Sequence, residues 1–346
     1  MQRFPPGELP ALLDATDLDI VAALHIAPRV PTAVLADVLG MPTSTANRRL
    51  ARMQQDHLLR TVGRYAWQLI TSSNPFELWI TSAPGESRAV LEQLLRIPDV
   101  QFAMHASGPA DIYANLYPLR GSDPEELLTE RIPSIPGVRA IDSRMILESA
   151  KVGQSWRFQR LADEQVATLE QHRTPVSEPP LRSLDDLSEL EFQTMRALGA
   201  NARVSAAEVA RQVGTSASTA SRAIRMLLAT GAVSPRVEIQ PELVGYPLNA
   251  VVSIDVRPRA VQSLLDSLVD HPSVRLLSTV TGDAPVSLYA VFAGPADLSR
   301  FVLDDLGSRR DVRSTSSVVA LRLQRRYWID RDGHHLGAQV EGVLRR

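Results

Sequence analysis

Two stretches decide the fold: VPTAVLADVLGMPTSTANRRL, residues 30–50, and VSAAEVARQVGTSASTASRAI, residues 204–224. Laid together at an offset of 174 residues they share Val30/Val204, Ala33/Ala207, Ala36/Ala210, Gly40/Gly214, Ser44/Ser218, Thr45/Thr219, Ala46/Ala220 and Arg48/Arg222. The same offset continues without a gap through Ile80/Ile254, Leu94/Leu268, Pro98/Pro272, Val100/Val274 and Gly108/Gly282. It then reaches Val138/Val312, Arg139/Arg313 and Leu147/Leu321. A period this long means a duplicated set of domains and not a solenoid of short repeats.

Within each copy, apolar residues fall on single helix faces. Copy one has Leu18, Val21 and Leu24, then Val34, Leu35, Val38 and Leu39, then Ala46, Leu50 and Met53. Copy two has Phe192, Met195 and Leu198, then Val209 and Val213, then Ala220, Ile224 and Leu227. Three short helices follow in each. The turn before the third is LGMPT in copy one, where Gly40 supplies the positive φ that ends a helix and Pro42 or Thr43 starts the next. In copy two it is VGTSAS, with Ser216 as N-cap.

This is the pattern of a helix-turn-helix, which presents small or polar residues at the start of its second helix to the DNA major groove. The outward positions are Ser44, Thr45, Asn47, Arg48 and Arg52, and in the other copy Ser218, Thr219, Ser221, Arg222 and Arg225. Their hydroxyl and amide groups can bond phosphates or base edges, and an arginine can read guanine with two bonds or hold a phosphate. Arg48, Arg49 and Arg52, with Arg60 and Arg64, suggest a phosphate-contacting edge. Ala223 replaces Arg49 in copy two, so the two helices need not read the same bases.

Downstream of each such unit the pattern reads β-α-β-β-α-β. In copy one this runs from FELWITSA through QFAMHA and IYANLY to RAIDSRMIL, and in copy two from NAVVSIDV through RLLSTV and VSLYAVF to RSTSSVVAL. Such a unit folds as a ferredoxin-like antiparallel sheet with both helices on one face, leaving an apolar face that needs a counterpart. The fold class is therefore α+β, a tandem duplication of a winged helix-turn-helix followed by a ferredoxin-like βαββαβ domain. The expected boundaries are 12–66 and 75–150 for the first pair, a partly helical linker over 151–182, 184–240 and 247–328 for the second pair, and a solvated tail over 329–346. Pairing of the two sheets within one chain or between chains is left open.

Composition bounds the rest. The chain has 346 residues, 44% of them hydrophobic and 22% charged, as in ordinary globular proteins and too apolar for extensive disorder. It contains no cysteine, which excludes disulfides, thiolate metal sites and cysteine nucleophiles. No apolar run is long enough to span a membrane and the N-terminus lacks a leader pattern, so a cytoplasmic location with no membrane partner is expected. With a net charge of −2, DNA binding must come from local patches. No Gly-rich phosphate loop, metalloprotease motif or nucleophile elbow is present, and neither a cofactor nor a metal site is expected.

The acidic-start first helices (LDATDLDIVAAL and LSELEFQTMRAL), the A-x-x-x-G turns, the helix TSTANRRLARM and the βαββαβ unit with its S-G-x-x-D-I loop resemble the leucine-responsive regulatory protein and asparagine regulator (Lrp/AsnC) family, present here as two fused copies. The resemblance implies a transcription regulator that binds double-stranded DNA, forms homo-oligomers through its α/β domains and takes a small effector, commonly an amino acid. By position it assigns Gly108, Asp111 and Gly282 to the effector loops. Pro285 stands where copy one has Asp111, which puts a second equivalent site in doubt. Two other readings compete. One is an enzyme resembling sirohaem decarboxylases, which share this domain order but carry histidine and tyrosine before the third strand; here only His105 and Tyr113 are available. The other is an assembly protein that has lost DNA binding.

Overall fold

The computed structural model describes residues 12–346 apart from 154 and 158. In copy one, helices Ala15–Ile26, Thr32–Val38 and Thr43–Gln55 lead into strand β1 (Leu59–Tyr65), the wing. The α/β unit follows as β2 (Phe76–Ser82), helix Ser87–Leu94, β3 (Val100–Ser107), β4 (Ile112–Leu116), a helix from Pro124 with a π-wound second half to Arg131, and β5 (Val138–Lys151). Copy two repeats the order: helices Glu189–Ala200, Ala206–Val213 and Ala217–Ala229, β6 (Val233–Ile239), β7 (Leu248–Val256), helix Val261–Leu268, β8 (Val274–Val280), β9 (Val286–Phe292), a second partly π-wound helix from Pro295 to Leu306, and β10 (Val312–Arg326). A hairpin of β11 (Ile329–Asp332) and β12 (His335–Gln339) ends the chain.

The local signals act as the sequence implies. Gly40 and Gly214 take φ of +64° and +69°, and Ser216 accepts a hydrogen bond from the Thr219 amide at 3.2 Å. In the strands, alternate residues face opposite ways. Leu78 and Ile80 of β2 pack with Val90, Leu91 and Leu94 of the covering helix, while Trp79 joins Phe102, Tyr113 and Tyr289 on the other face. Ala250, Val252 and Ile254 of β7 likewise meet Leu264, Leu265 and Leu268.

The two sheets pair within the chain. The long strands β5 and β10 each serve both units: β5 pairs with β2 and then β8, and β10 with β7 and then β3, all antiparallel. The eight strands close in the order β10-β3-β4-β2-β5-β8-β9-β7 and back to β10. The registers Ile146↔Val280 and Ala320↔Ala106 are related by the repeat, so a pseudo-twofold axis runs between the copies.

The wings are exchanged across the same axis. β1 pairs antiparallel with β6, with Val62 opposite its own equivalent Arg236. Val62 and Tyr65 of copy one complete the core around Phe192, Met195 and Leu198, whereas Val237 and Ile239 of copy two pack with Ile20 and Leu24. Gly63 permits the approach, since a Cβ there would lie 2.6 Å from the Leu198 carbonyl oxygen. Arg203 donates to the carbonyls of Pro28 and Val30 at 2.8 Å each, and its equivalent Arg29 donates to Ala202.

The segments after each copy also cross over. In the linker, Trp156 donates to the Pro272 carbonyl at 2.7 Å and helix Asp163–Glu170 packs on the first helix of copy one. Trp328 donates to the Pro98 carbonyl at 2.8 Å. The residues after 328 are not a solvated tail: Leu336, Val343 and Leu344 are buried in the same apolar cluster as the helices of copy two. Of the two tail histidines, His334 meets Glu242 at 2.7 Å and His335 meets the Asp56 carbonyl oxygen at 2.8 Å.

Two consequences are measurable. Asp17, buried in the first helix, is bound by Arg49 at 2.9 Å and Arg52 at 2.6 Å. Removing both arginines strands a buried carboxylate, so Arg49→Ala with Arg52→Ala is expected to lower stability by about 3 kcal/mol in urea unfolding. Arg48→Ala should change it by less than about 0.5 kcal/mol. His25, buried against Trp156 with Nδ1 3.0 Å from the Val21 carbonyl oxygen, has its pKa pulled down to about 3 by burial and by the charge of Arg275. The unfolded imidazole protonates near its ordinary 6.5, so this contribution is intact above that pH and is lost as pH falls towards 3. Between pH 6.5 and 5 the loss should be about 2 kcal/mol, and His25→Gln should remove that part of the slope in pH-dependent melting.

Candidate nucleic-acid interface

Each recognition helix is held from behind by its apolar face, with Ala46, Leu50 and Met53 buried in copy one and Ala220, Ile224 and Leu227 in copy two. That packing turns the polar positions outward. Ser44, Asn47 and Arg48 are exposed and Thr45 half-buried; Ser218, Arg222 and Arg225 are exposed, with Thr219 and Ser221 half-buried. Ser216 also lies within 2.9 Å of both the Ser218 and the Thr219 hydroxyl, so the start of the second recognition helix is a linked row of hydroxyls.

The arginines divide into two groups. Arg48, Arg222 and Arg225 project from the surface, free to meet a phosphate or base edge. Arg52 instead clamps the third helix of copy one to the first through Asp17, together with Arg49, which also meets Asp14 at 2.7 Å. The equivalents of Arg49 and Arg52 are Ala223 and Met226, so copy two makes the same junction with apolar contact. Arg60 and Arg64 do not continue a surface edge: Arg60 turns to the Leu336 carbonyl at 3.4 Å and Arg64 lines an internal cavity. Helical spacing puts an arginine on the outer face of its own helix; only the neighbouring helix shows which carboxylate reaches it.

The loop residues sit at the seam between the α/β units. Gly108 (φ +140°) is exposed, and a Cβ there would meet the Ser317 carbonyl oxygen of β10 at 2.8 Å. Gly282 (φ +101°) lies beside Arg144 of β5. The Asp111 carboxylate accepts from the Ser82 amide at 2.7 Å and its hydroxyl at 3.0 Å, which holds the β3–β4 hairpin against the end of β2. In copy two the hairpin closes by the same backbone bond, Val280 amide to Pro285 carbonyl, without that latch. His105 lies on β3 opposite Arg322, half-buried, with its pKa lowered by burial and by Arg88 and Arg322.

Comparison with known proteins agrees with this geometry. Residues 13–54 match the model of the AsnC-type helix-turn-helix domain, 187–234 that of a winged helix-turn-helix DNA-binding domain and 249–327 that of the Lrp/AsnC ligand binding domain. An HTH-type transcriptional regulator of Pyrococcus abyssi is 26% identical over 134 residues, which cover 38% of this chain and 85% of that protein. The HTH-type transcriptional regulator AldR of Mycolicibacterium smegmatis is 26% identical over 149 residues, 42% of this chain and 86% of its own. Over nearly the whole length the fold resembles the crystal structure of the siroheme decarboxylase NirDL, with a TM-score of 0.59, covering 90% of this chain and 92% of that one at 11% identity. Among the described residues no helix is long and apolar enough to cross a membrane. The chain thus carries an AsnC-type helix-turn-helix match in its first copy and an Lrp/AsnC ligand binding domain match in its second, and its curated relatives are HTH-type transcriptional regulators.

Proposed function

We propose that the chain is a sequence-specific DNA-binding transcription regulator whose two recognition helices are presented by one covalently fused pseudo-dimer. The observation that carries this reading is the pair of exposed, arginine-bearing helix faces behind glycine turns, and relatives of single-copy length are HTH-type transcriptional regulators. The recognition set is Ser44, Thr45, Asn47 and Arg48 with Ser218, Thr219, Ser221, Arg222 and Arg225; Arg52 acts by holding the helix that carries the first four. Because the halves differ, an imperfect palindrome suits them better than a perfect one. A small effector such as an amino acid is assigned to the loops of Gly108 and Gly282, with Asp111 shaping the first. Homo-oligomers in the cytoplasm would form through the outer surface of the α/β units, since the sheet faces are already paired within the chain.

The second reading, an enzyme of the sirohaem-decarboxylase kind, has the whole-chain fold likeness in its favour. Of the two residues available to it, Tyr113 lines the cavity between the wing ribbon and the sheet and His105 does not. We assign no enzymatic activity.

Fluorescence anisotropy of the protein with its own upstream DNA across a salt series tests the proposal. Binding should weaken steeply with salt, and Arg48→Ala and Arg222→Ala should each cost about 1–3 kcal/mol if they read bases, or lower the salt slope by about one if they hold phosphates. Absence of binding at low salt, with and without amino acids, would overturn the proposal and make a tetrapyrrole titration the next measurement.

A further inference from the structure

Between the wing ribbon and the closed sheet lies a cavity of about 420 Å³, within the range of small-molecule sites. Arg236, Arg275 and Arg326 line it, each less than a tenth exposed. Behind them Glu238, fully buried, receives Arg236, Arg326 at 2.8 Å and Arg331 at 2.6 Å. Among the described residues Arg275 has no carboxylate partner; its guanidinium lies 4.2 Å from the Trp156 ring. Three buried guanidinium groups thus share one carboxylate and a fourth, that of Arg275, lies beside them without one. Buried charge is costly unless it is paired and hydrogen-bonded. The Nε of Arg236 and one Nη each of Arg275 and Arg326 are buried with no hydrogen-bond partner.

The remaining wall is aromatic. Phe102, Tyr113 and Tyr289 meet edge to face, with ring centres 5.4 Å and 5.9 Å apart, and Trp328 and Tyr327 close the side nearest the wing. Gln68, Leu147 and Glu148 are exposed and line the cavity where it meets solvent.

The site exists once per chain. The equivalents of Arg236, Arg275 and Arg326 are Val62, Gln101 and Val152, so the repeat supplies no second set of cations. Arg236 lies at the pseudo-twofold axis, where it faces Val62. Divergence of the two copies has made a symmetric seam into a one-sided basic pocket.

We propose that this cavity binds a small aromatic polycarboxylate, its carboxylates on Arg275, Arg326 and Arg236 and its ring against Phe102, Tyr113 and Tyr289. The site is separate from the loops of Gly108 and Gly282, and the assignment stands apart from the regulator reading. It involves binding alone.

Isothermal titration of the whole chain with benzene-1,3,5-tricarboxylate, with citrate and inorganic phosphate as non-aromatic arms, tests it. One equivalent of the tricarboxylate should bind per chain, at least tenfold more tightly than citrate or phosphate. Arg275→Gln, which installs the residue found at the equivalent position 101, should weaken binding at least tenfold while raising the melting temperature, because it removes an uncompensated buried cation. Should that variant misfold, Arg64→Gln at the half-buried lining residue should weaken binding without loss of fold. No binding to the wild type, two equivalents per chain, or tricarboxylate binding unchanged in both variants would overturn the site. Equal affinity for citrate or phosphate would overturn its aromatic assignment. No DNA enters the titration, so its failure and failure of operator binding are separable.

Discussion

A four-stranded antiparallel sheet with helices on one face must bury its other face, and in this chain that requirement is met internally. β5 and β10 are long enough to pair first with their own unit and then with the other, so the two sheets close into one ring of eight strands. Tyr113, Phe102, Tyr289, Val251 and Val291 are buried by that closure. The helix-turn-helix units inherit their placement from it, because each copy's wing emerges on the far side of the axis and packs on the other copy's helices. Each half of the core therefore contains residues from both copies, and the relative position of the two recognition helices is set by covalent and packed structure rather than by subunit concentration.

Fusion also releases the two copies from having to be alike. In a homodimer every substitution appears twice across the axis. Here Asp17 is clamped by arginines, whereas copy two makes the same helix junction with Ala223 and Met226. Asp111 latches one hairpin and Pro285 ends that possibility in the other. Arg236, Arg275 and Arg326 stand where copy one has Val62, Gln101 and Val152, so a charge that would be prohibitive if doubled at the seam occurs once. Within that cluster the guanidinium groups overcome burial and keep the Glu238 carboxyl well below its usual range.

The repeat itself determines most of the architecture. Apolar spacing marked six helices, Gly40, Gly214 and Ser216 marked the turns, and alternation marked the strands, because these signals act between residues close in sequence. The outward set on each recognition helix was legible for the same reason. What the sequence could not determine depends on which residue meets which across the pseudo-twofold axis. Arg52 is spaced like a DNA contact but reaches Asp17; residues 329–346 read as a polar tail but carry Leu336, Val343 and Leu344 into the apolar cluster around the helices of copy two. Arg236, Arg275 and Arg326 lie on three different strands and carry no shared spacing, so only the tertiary structure, by bringing those strands to one seam, made them a cluster. Local chemistry wrote the elements and their exposed faces; long-range closure of the sheet decided the partners.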